Sequence, residues 1–166
     1  MKKYLTIGNI LMCCAALLAL IALIVGLCAP AVSYTVEAFG KSSTTTYSGV
    51  QVAFGYTEKG TLANVEVWNF SFMNFLTYLL VLVGIVFAVL AILGKLDKIS
   101  GIVAIACFLI AGIFFFCALA FSVPATDLIQ ALKDDGYALG AGAIVAGILS
   151  IISAVLVAVK AFVIKK

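Results

Sequence analysis

Residues 72–122 read FMNFLTYLLVLVGIVFAVLAILGKLDKISGIVAIACFLIAGIFFFCALAFS, and this stretch indicates the class of the fold. It holds two apolar runs, at about residues 72–93 and 99–122, and each is long enough to cross a bilayer, which takes roughly 20 helical residues. The link between them, from Gly94 to Lys98, is only five residues long. We therefore expect the two runs to form an antiparallel helical hairpin.

Two further apolar runs flank this hairpin, at about residues 5–28 and 137–164. Every backbone polar group in hydrocarbon has to be paired internally, so the four runs are predicted to be helices. The runs do not alternate between polar and apolar residues, which excludes the strands of a membrane β-barrel. The sequence therefore predicts a single four-span membrane domain over residues 1–166, built as an all-α transmembrane bundle.

Composition indicates the same class of protein. Of the 166 residues, 66% are hydrophobic and 10% are charged, and the mean hydropathy is +1.31. A soluble globular domain is about half apolar and about a quarter charged. A soluble monomer, a disordered chain and a secreted disulfide scaffold are therefore excluded.

The ten lysines predict the orientation, because basic residues are retained on the cytoplasmic side of a membrane. One side of the topology carries a net charge of +6, from Lys2, Lys3, Lys95, Asp97, Lys98, Lys160, Lys165 and Lys166. The other side carries a net charge of −3, from Glu37, Lys41, Glu58, Lys59, Glu66, Asp127, Lys133, Asp134 and Asp135. We expect a multi-pass protein of the cell membrane with both termini in the cytoplasm and with the loops 29–71 and 123–136 outside the cell. The basic balance is thus a signal of topology and does not indicate nucleic acid as a partner.

The first apolar run is interpreted as an uncleaved anchor. Ala29-Pro30-Ala31 imitates a signal-peptidase site, but the apolar run before it is longer than the roughly 7–15 residues of a signal peptide core. A lipoprotein interpretation would use Cys28, and the bulky Leu27 before it disfavours that alternative.

The first outer loop, residues 29–71, is predicted to form a small antiparallel β-meander of three or four strands. Apolar residues alternate with polar ones in three places, a period of two that is typical of strands. The alternating residues are Val32, Tyr34 and Val36, then Val50, Val52, Phe54 and Tyr56, then Val65 and Val67. Turns are predicted at Gly40-Lys41 and at Glu58-Lys59-Gly60.

The second outer loop, residues 123–136, is predicted to hold a short amphipathic helix. Leu128, Ile129 and Leu132 share one helical face, and Gly136 is a natural C-terminal stop. Pro124 precedes this helix, and Pro124-Ala125 repeats the Pro30-Ala31 that follows the first run. The repeat reflects either shared helix-stopping chemistry or a duplication.

Small residues recur along one face of each predicted helix. In lipid, close backbone approach through small residues holds helices together, because hydrophobicity alone cannot. Spacings of four and three residues are typical of a left-handed bundle. The longest series lies in the fourth run, where the candidate seam residues are Gly142, Ala146, Ser150, Ala154 and Ala158. This seam packs inside one bundle or joins two copies of the chain.

The chain lacks residues that many catalytic sites use. Without histidine there is no Ser-His-Asp or Cys-His nucleophile and no imidazole metal site. No predicted helix carries a charged residue near its middle, which disfavours an ion-coupled carrier. The five cysteines are interpreted as small apolar packing residues. We therefore predict no enzyme activity, no catalytic, cofactor-binding or metal-binding residue, and no cofactor.

Aromatic residues cluster where the first loop enters the second helix. The candidate residues are Trp68, Phe70, Phe72 and Tyr78. Amphipathic rings favour the membrane–water interface, so we interpret the cluster as an interfacial anchor. A groove for a lipid or for a partner protein is the alternative.

The layout of the whole chain resembles the claudin-like tetraspan architecture. Both have four helices, cytoplasmic termini, a β-rich first outer loop and a short second one. The resemblance is one of topology: of the claudin loop motif, in which a tryptophan is followed by Gly-Leu-Trp and two cysteines, only Trp68 corresponds, followed here by Asn69-Phe70. The lysine-rich composition, the stretch Tyr47-Ser48-Gly49-Val50-Gln51 and the later Phe54-Gly55 are similar to uncharacterised small four-helix membrane proteins of low-GC Gram-positive bacteria.

These observations predict a non-enzymatic membrane scaffold or accessory subunit that acts through its outer β-loop and its helix seams. Its expected partners are membrane lipids and either a second copy of the chain or another membrane protein. The alternative is a passive channel, or a small membrane protein that binds a lipid or a solute. A channel would be lined by Asn74, Thr77, Ser150 and Ser153.

Overall fold

The computed structural model describes residues 7–38, 41–59, 64–93 and 97–163 of the chain. In chain order the elements are α1 (Ile7–Cys28), β1 (Pro30–Ala38), β2 (Lys41–Ser48), α2 (Gly49–Phe54), β3 (Tyr56–Lys59), β4 (Asn64–Asn69), α3 (Phe72–Ile92), α4 (Asp97–Phe116), α5 (Ala118–Phe121), β5 (Val123–Pro124), α6 (Asp127–Asp135), β6 (Tyr137–Leu139) and α7 (Ala141–Ala158). A π-helical turn over Val159–Val163 continues α7.

Within the described residues, α1, α3, α4 and the extended α7 are long and apolar enough to cross a membrane. The prediction of a four-span protein is therefore confirmed. Each of these helices packs against two others, so that α1 contacts α3 and α7, and α4 contacts the same two. Large side chains fill the bundle between them, including Met12, Val81, Phe108 and Phe115, which are fully buried.

Small residues bring the spanning helices together. Along α1 the predicted small-residue face is buried, from Gly8 to Gly26. In α3, a Cβ on Gly84 would lie 2.5 Å from the ring of Phe108. The close approach of α3 and α4 therefore requires glycine at this position.

Two predicted spans differ from the observed helices. The run 99–122 is interrupted, because α4 ends at Phe116 and the separate α5 begins at Ala118. The run 137–164 begins too early, because residues 137–139 are the strand β6 and α7 begins at Ala141. The pattern of the three residues 137–139 alone does not distinguish a helix from a strand. Their pairing with β1 makes them a strand.

A cap of strands and short helices lies at one end of the bundle. It is formed by the chain segment that joins α1 to α3 and the segment that joins α4 to α7. It holds two antiparallel sheets, with the strand orders β2-β1-β6 and β3-β4-β5. The prediction of antiparallel strands in the first loop is confirmed, with four of them, but they belong to two sheets and do not form one meander. Each sheet takes an edge strand, β6 or β5, from the second loop, a pairing between distant segments that no local pattern indicates.

The alternating residues Val50, Val52 and Phe54 are also not in a strand, because residues 49–54 form α2, and only Tyr56 of this series begins a strand, β3. Ser48 and Gln51 make a capping box: the Ser48 hydroxyl accepts from the Gln51 N–H, and the Gln51 side chain accepts from the Ser48 N–H at 2.8 Å. The capping box outweighs the alternation, and α2 buries Val52 and Ala53.

The predicted helix of the second loop is confirmed as α6. Its first turn is capped by the Thr126 side chain, which accepts from the N–H of Ile129, and the helix ends before Gly136. The predicted turns at Gly40-Lys41 and Glu58-Lys59-Gly60 include Gly40 and Gly60, which lie outside the described residues.

Candidate functional site

The seam of α7 is buried within the chain. Gly142, Ala146, Ser150 and Ala154 are buried, and Ala158 is half-buried. A Cβ on Gly142 would lie 2.6 Å from the Cβ of Ala29, at the point where α1 ends. This seam is thus occupied by packing inside one chain, and a second copy would have to bind at another surface.

The four residues proposed to line a channel are all buried, and three of them are hydrogen-bonded to backbone carbonyls. Thr77 donates to Met73 and Ser153 donates to Leu149, each one turn back in its own helix. The side-chain amide of Asn74 donates to the carbonyl of Ala118 at 3.2 Å and so joins α3 to α5. Among the described residues, the Ser150 hydroxyl has no hydrogen-bond partner.

The predicted aromatic cluster divides into two pairs. Trp68 and Tyr78 are buried, with Trp68 only 2% exposed, whereas Phe70 and Phe72 are 51% and 59% exposed. The rest of the chain therefore covers Trp68 and Tyr78, and only Phe70 and Phe72 are exposed at the surface. The four residues are close in sequence, but strand alternation and helix rotation direct them to different environments.

Tyr78 stabilises the end of α1. The last carbonyls of a helix have no partner within it, and the residue four positions after Gly26 is Pro30, which has no N–H to donate. The Tyr78 hydroxyl donates to the Gly26 carbonyl at 3.1 Å. Gly49 approaches the same point, and a Cβ there would collide with the Gly26 carbonyl and the Tyr78 hydroxyl.

Lys133 has a corresponding position at the end of α5. The residue four positions after Ala120 is Pro124, and the Lys133 ammonium donates to the carbonyl of Ala120 at 3.3 Å and to that of Ser122 at 2.8 Å. Desolvation lowers the pKa of Lys133, and the charge of Asp134 opposes this shift. Sequence analysis missed the roles of Tyr78 and Lys133, although the two prolines indicate which carbonyls lack a donor.

The core of the cap is aromatic and joins the two sheets. Trp68 of β4 packs edge-on against Tyr47 of β2 and Tyr137 of β6, with ring centroids 5.8 Å and 5.3 Å apart. Tyr34 of β1 stacks on Tyr137 at 4.8 Å, and Tyr56 of β3 contacts Tyr47 at 5.9 Å. All six strands except β5 contribute a ring, so the core depends on both loops.

The polar atoms of this aromatic core are uncharged near neutral pH. Burial raises the pKa of Tyr47, and the neighbouring Tyr137 raises it further. Burial also raises the pKa of Tyr137, while a hydrogen bond from Tyr47 lowers it. Within the described part of the chain, the indole N–H of Trp68 has no hydrogen-bond partner.

The outer edge of β2 faces away from the rest of its sheet. Residues 41–46 of β2 are exposed on both faces, so the β1–β2 hairpin extends beyond the cap core. In the structure as described, β2 pairs only with β1, in continuous register from Tyr47 to Lys41. The side chains of Thr35 and Thr44 share a hydrogen bond of 3.0 Å across this pair.

An exposed apolar surface lies where the cap meets α3. We name it the aromatic rim, and its members are Val50, Phe54, Phe70, Phe72 and Met73. The rings of Phe54 and Phe70 are 6.4 Å apart, and both contact Phe75, at 5.8 Å and 6.0 Å. Val50 and Phe54 belong to α2, so sequence analysis, which assigned this segment to a strand, did not place them beside Phe70 and Phe72.

Residue types with metal-binding or redox chemistry are dispersed. All five cysteines are free thiols. Across residues 7–38, 41–59, 64–93 and 97–163, no group of three or more Cys, Asp or Glu side chains could hold a metal ion. Asp134 accepts from the Gln130 amide of its own helix at 3.0 Å.

Comparisons with protein-family models, with curated protein sequences and with solved structures found no match for this chain. The geometry of the cap therefore carries the functional argument.

Proposed function

We propose that the chain is a non-enzymatic scaffold or accessory subunit of the cell membrane, which acts through protein–protein contacts of its cap. In this proposal the cap lies outside the cell and both termini lie in the cytoplasm, an orientation supported by the lysine distribution. The order of the elements, four spans with a β-rich cap, supports a claudin-like architecture as part of the same proposal. The buried seam of α7 leaves the cap as the surface for partner contacts.

The observation that carries the proposal is the free edge of β2. An edge strand presents a row of unpaired N–H and C=O groups, and proteins block such edges with prolines, bulges or inward-pointing charges. Between Ser42 and Thr46 the strand reads SSTTT, without any of these features. An extended segment of a partner would satisfy the free backbone groups by adding a strand to this edge.

The chemistry of the edge defines the partner segment. The side chains of Ser42 to Thr46 are small and carry hydroxyl groups, and cross-strand pairs of Ser and Thr are favourable. An extended, uncharged segment rich in Ser or in the β-branched residues Thr, Val and Ile fits opposite them. That segment belongs to another membrane protein or to a second copy of this chain.

Site-specific photo-crosslinking in native membranes tests the proposal. A benzophenone amino acid at Ser43 or Thr45 is expected to label one partner chain, and the crosslinked residues are expected to lie in one extended segment. The matched control is the same probe at Leu128, which is exposed on α6, an element outside the sheet of β2.

Proline substitutions then show whether the edge itself is used. Neighbouring residues of a strand direct their N–H groups to opposite sides, so one of Thr44→Pro and Thr45→Pro removes an outward donor and leaves the β1–β2 pairing intact. That variant is expected to lose the crosslink. A crosslink that survives both variants would reject the edge as the contact surface. If no cap position gives a crosslink, the scaffold function would be rejected.

The second candidate function is the binding of a small solute in the aromatic core of the cap. The unpartnered N–H of Trp68, beside Tyr47 and Tyr137, supports it, because a buried donor without an acceptor costs about 1–3 kcal/mol. Trp68 is the only tryptophan, so its emission reports on the site directly. Tetramethylammonium, which binds aromatic faces, and glucose, which offers acceptor oxygens, are the probes. A saturable change in emission that Tyr47→Ala abolishes would support this function, and an unchanged spectrum with both probes would reject it.

A further inference from the structure

Short contacts hold the aromatic rim against the bundle. The Ala53 carbonyl of α2 accepts from the N–H of Ser71 at 2.9 Å, and the Ser71 hydroxyl donates to the carbonyl of Phe121 at 2.6 Å. At the other end of α2, Gly49 sits against the Gly26 carbonyl. Phe54 is the last residue of this fixed helix, and its ring is 52% exposed.

The length of α3 places the rim at a definite depth. The helix has 21 residues, which at about 1.5 Å each match a hydrocarbon core of roughly 30 Å. Phe72 is its first residue, so Phe72 and Met73 lie at the boundary of this core on the cap side. The ring of Phe54 contacts that of Phe75, in the first turn of α3, and so lies at the same level.

The rim is continuous with the lipid-facing surface of α3. Exposed apolar side chains follow it along the helix at Leu79, Leu82, Val86 and Val89. No charged residue occurs in α2 or between residues 67 and 92. The rim and the helix surface carry no charge, and no polar surface separates them. Together they fit one apolar environment.

We propose that the aromatic rim inserts into the boundary between headgroups and acyl chains of the cap-side leaflet, with the short helix α2 lying on the bilayer. Phenylalanine is among the residues that interfacial helices carry on their apolar face, which they bury roughly 5–10 Å into this zone. The occupant is a lipid surface, because the rim continues a surface that the spanning helix already presents to lipid. The rim fastens the cap to the bilayer on the side of α2 and α3, and it leaves the β1–β2 hairpin in water.

Depth-dependent fluorescence quenching in liposomes tests this inference. In the background Trp68→Phe, single tryptophans are placed by Phe54→Trp at the rim, by Leu82→Trp at mid-helix and by Thr44→Trp on the exposed hairpin. The quenchers are phosphatidylcholines brominated near the headgroup or near the chain end, and aqueous iodide.

The rim tryptophan is expected to be quenched about twofold more by lipids brominated near the headgroup than by those brominated near the chain end, and little by iodide. The Leu82→Trp variant is expected to show the reverse lipid preference, because it lies about ten residues, or roughly 15 Å, deeper. The Thr44→Trp variant is expected to respond to iodide alone.

Two outcomes overturn the inference. Quenching of the rim by iodide, as at Thr44, would place it in water, and protection from all quenchers would mean that a protein covers it. Should Trp68→Phe fail to fold, Phe54→Trp and Phe70→Trp in the native background give the same test. The buried Trp68 then contributes a background that is measured in the unmodified protein.

Discussion

The ends of α1 and α5 have the same chemical requirement and meet it in different ways. Each is followed by Pro-Ala, and each leaves a carbonyl whose partner four residues on is a proline. At α1 the donor is the neutral hydroxyl of Tyr78, buried in the bundle, and at α5 it is the ammonium of Lys133, half-buried in the cap. We expect burial to set the importance of such a bond, because water can replace a lost donor only where it can enter.

The strands that follow the ends of α1 and α5 are also arranged alike. β1 follows α1 and pairs with β6, which leads into α7, while β5 follows α5 and pairs with β4, which leads into α3. Each pair of packed neighbours, α1 with α7 and α4 with α3, therefore continues into the cap as a pair of strands. The two sheets then meet through the aromatic core around Trp68.

Breaking the buried end of α1 has the largest expected effect. In Gly49→Ala, the new Cβ collides with the Gly26 carbonyl, which is fixed backbone, and with the Tyr78 hydroxyl. Overpacking of this kind costs about 1–3 kcal/mol or more, so we expect a large loss of the free energy of unfolding, measured in bicelles. Gly101→Ala is the control, because its Cβ would lie 3.6 Å from Ala161, an ordinary contact. Equal stability of the two variants would contradict the close approach at Gly49.

Removing the Tyr78 hydroxyl has the next largest effect. Tyr78→Phe keeps the ring, which packs edge-on against Phe115, and deletes the only described donor to the Gly26 carbonyl. An unsatisfied buried acceptor costs about 1–3 kcal/mol, and we expect a loss of that size in the free energy of unfolding. Tyr34→Phe is the matched control, because it deletes a hydroxyl on a half-buried ring of the cap. A smaller loss for Tyr78→Phe than for Tyr34→Phe would show that the hydrogen bond at α1 is dispensable.

The bundle was predictable from sequence, and much of the cap was not, for physical reasons that differ by element. Apolar length alone predicts the hairpin of α3 and α4, and the signals at Thr126 and Gly136 are local, so α6 was predictable too. β2 was missed because its Ser and Thr residues do not alternate in hydropathy. β5 and β6 consist of two and three residues, and they are strands only through pairing with distant segments.

The candidate site was predictable in part, because sequence shows which residues are aromatic but not which ones become buried. Phe70 and Phe72 are exposed as an anchor requires, whereas Trp68 and Tyr78 point inward. Burial of Trp68 depends on Tyr137, which is 69 positions away along the chain. The role of Tyr78 depends on the position of Pro30, so it follows from the sequence only once α1 and α3 are known to be neighbours.

Removing the donor at the end of α5 has the smallest expected effect, and it tests the comparison with the end of α1 most directly. Lys133→Met keeps the apolar stem and deletes the ammonium that donates to the Ala120 and Ser122 carbonyls. The bond to Ala120 is exposed and the bond to Ser122 is partly buried, so water can replace the ammonium in part, and we expect a loss of only about 0.5–1 kcal/mol in the free energy of unfolding. The local effect is larger, because Lys133 joins α6 to the end of α5, and we expect faster amide hydrogen exchange in α6 with no change in α1 or α3. Lys41→Met, at the exposed start of β2, is the control for loss of a positive charge. Equal destabilisation by Lys133→Met and Tyr78→Phe would show that burial does not set the importance of these two bonds. The charge of Lys133 would then explain the strength of its bond.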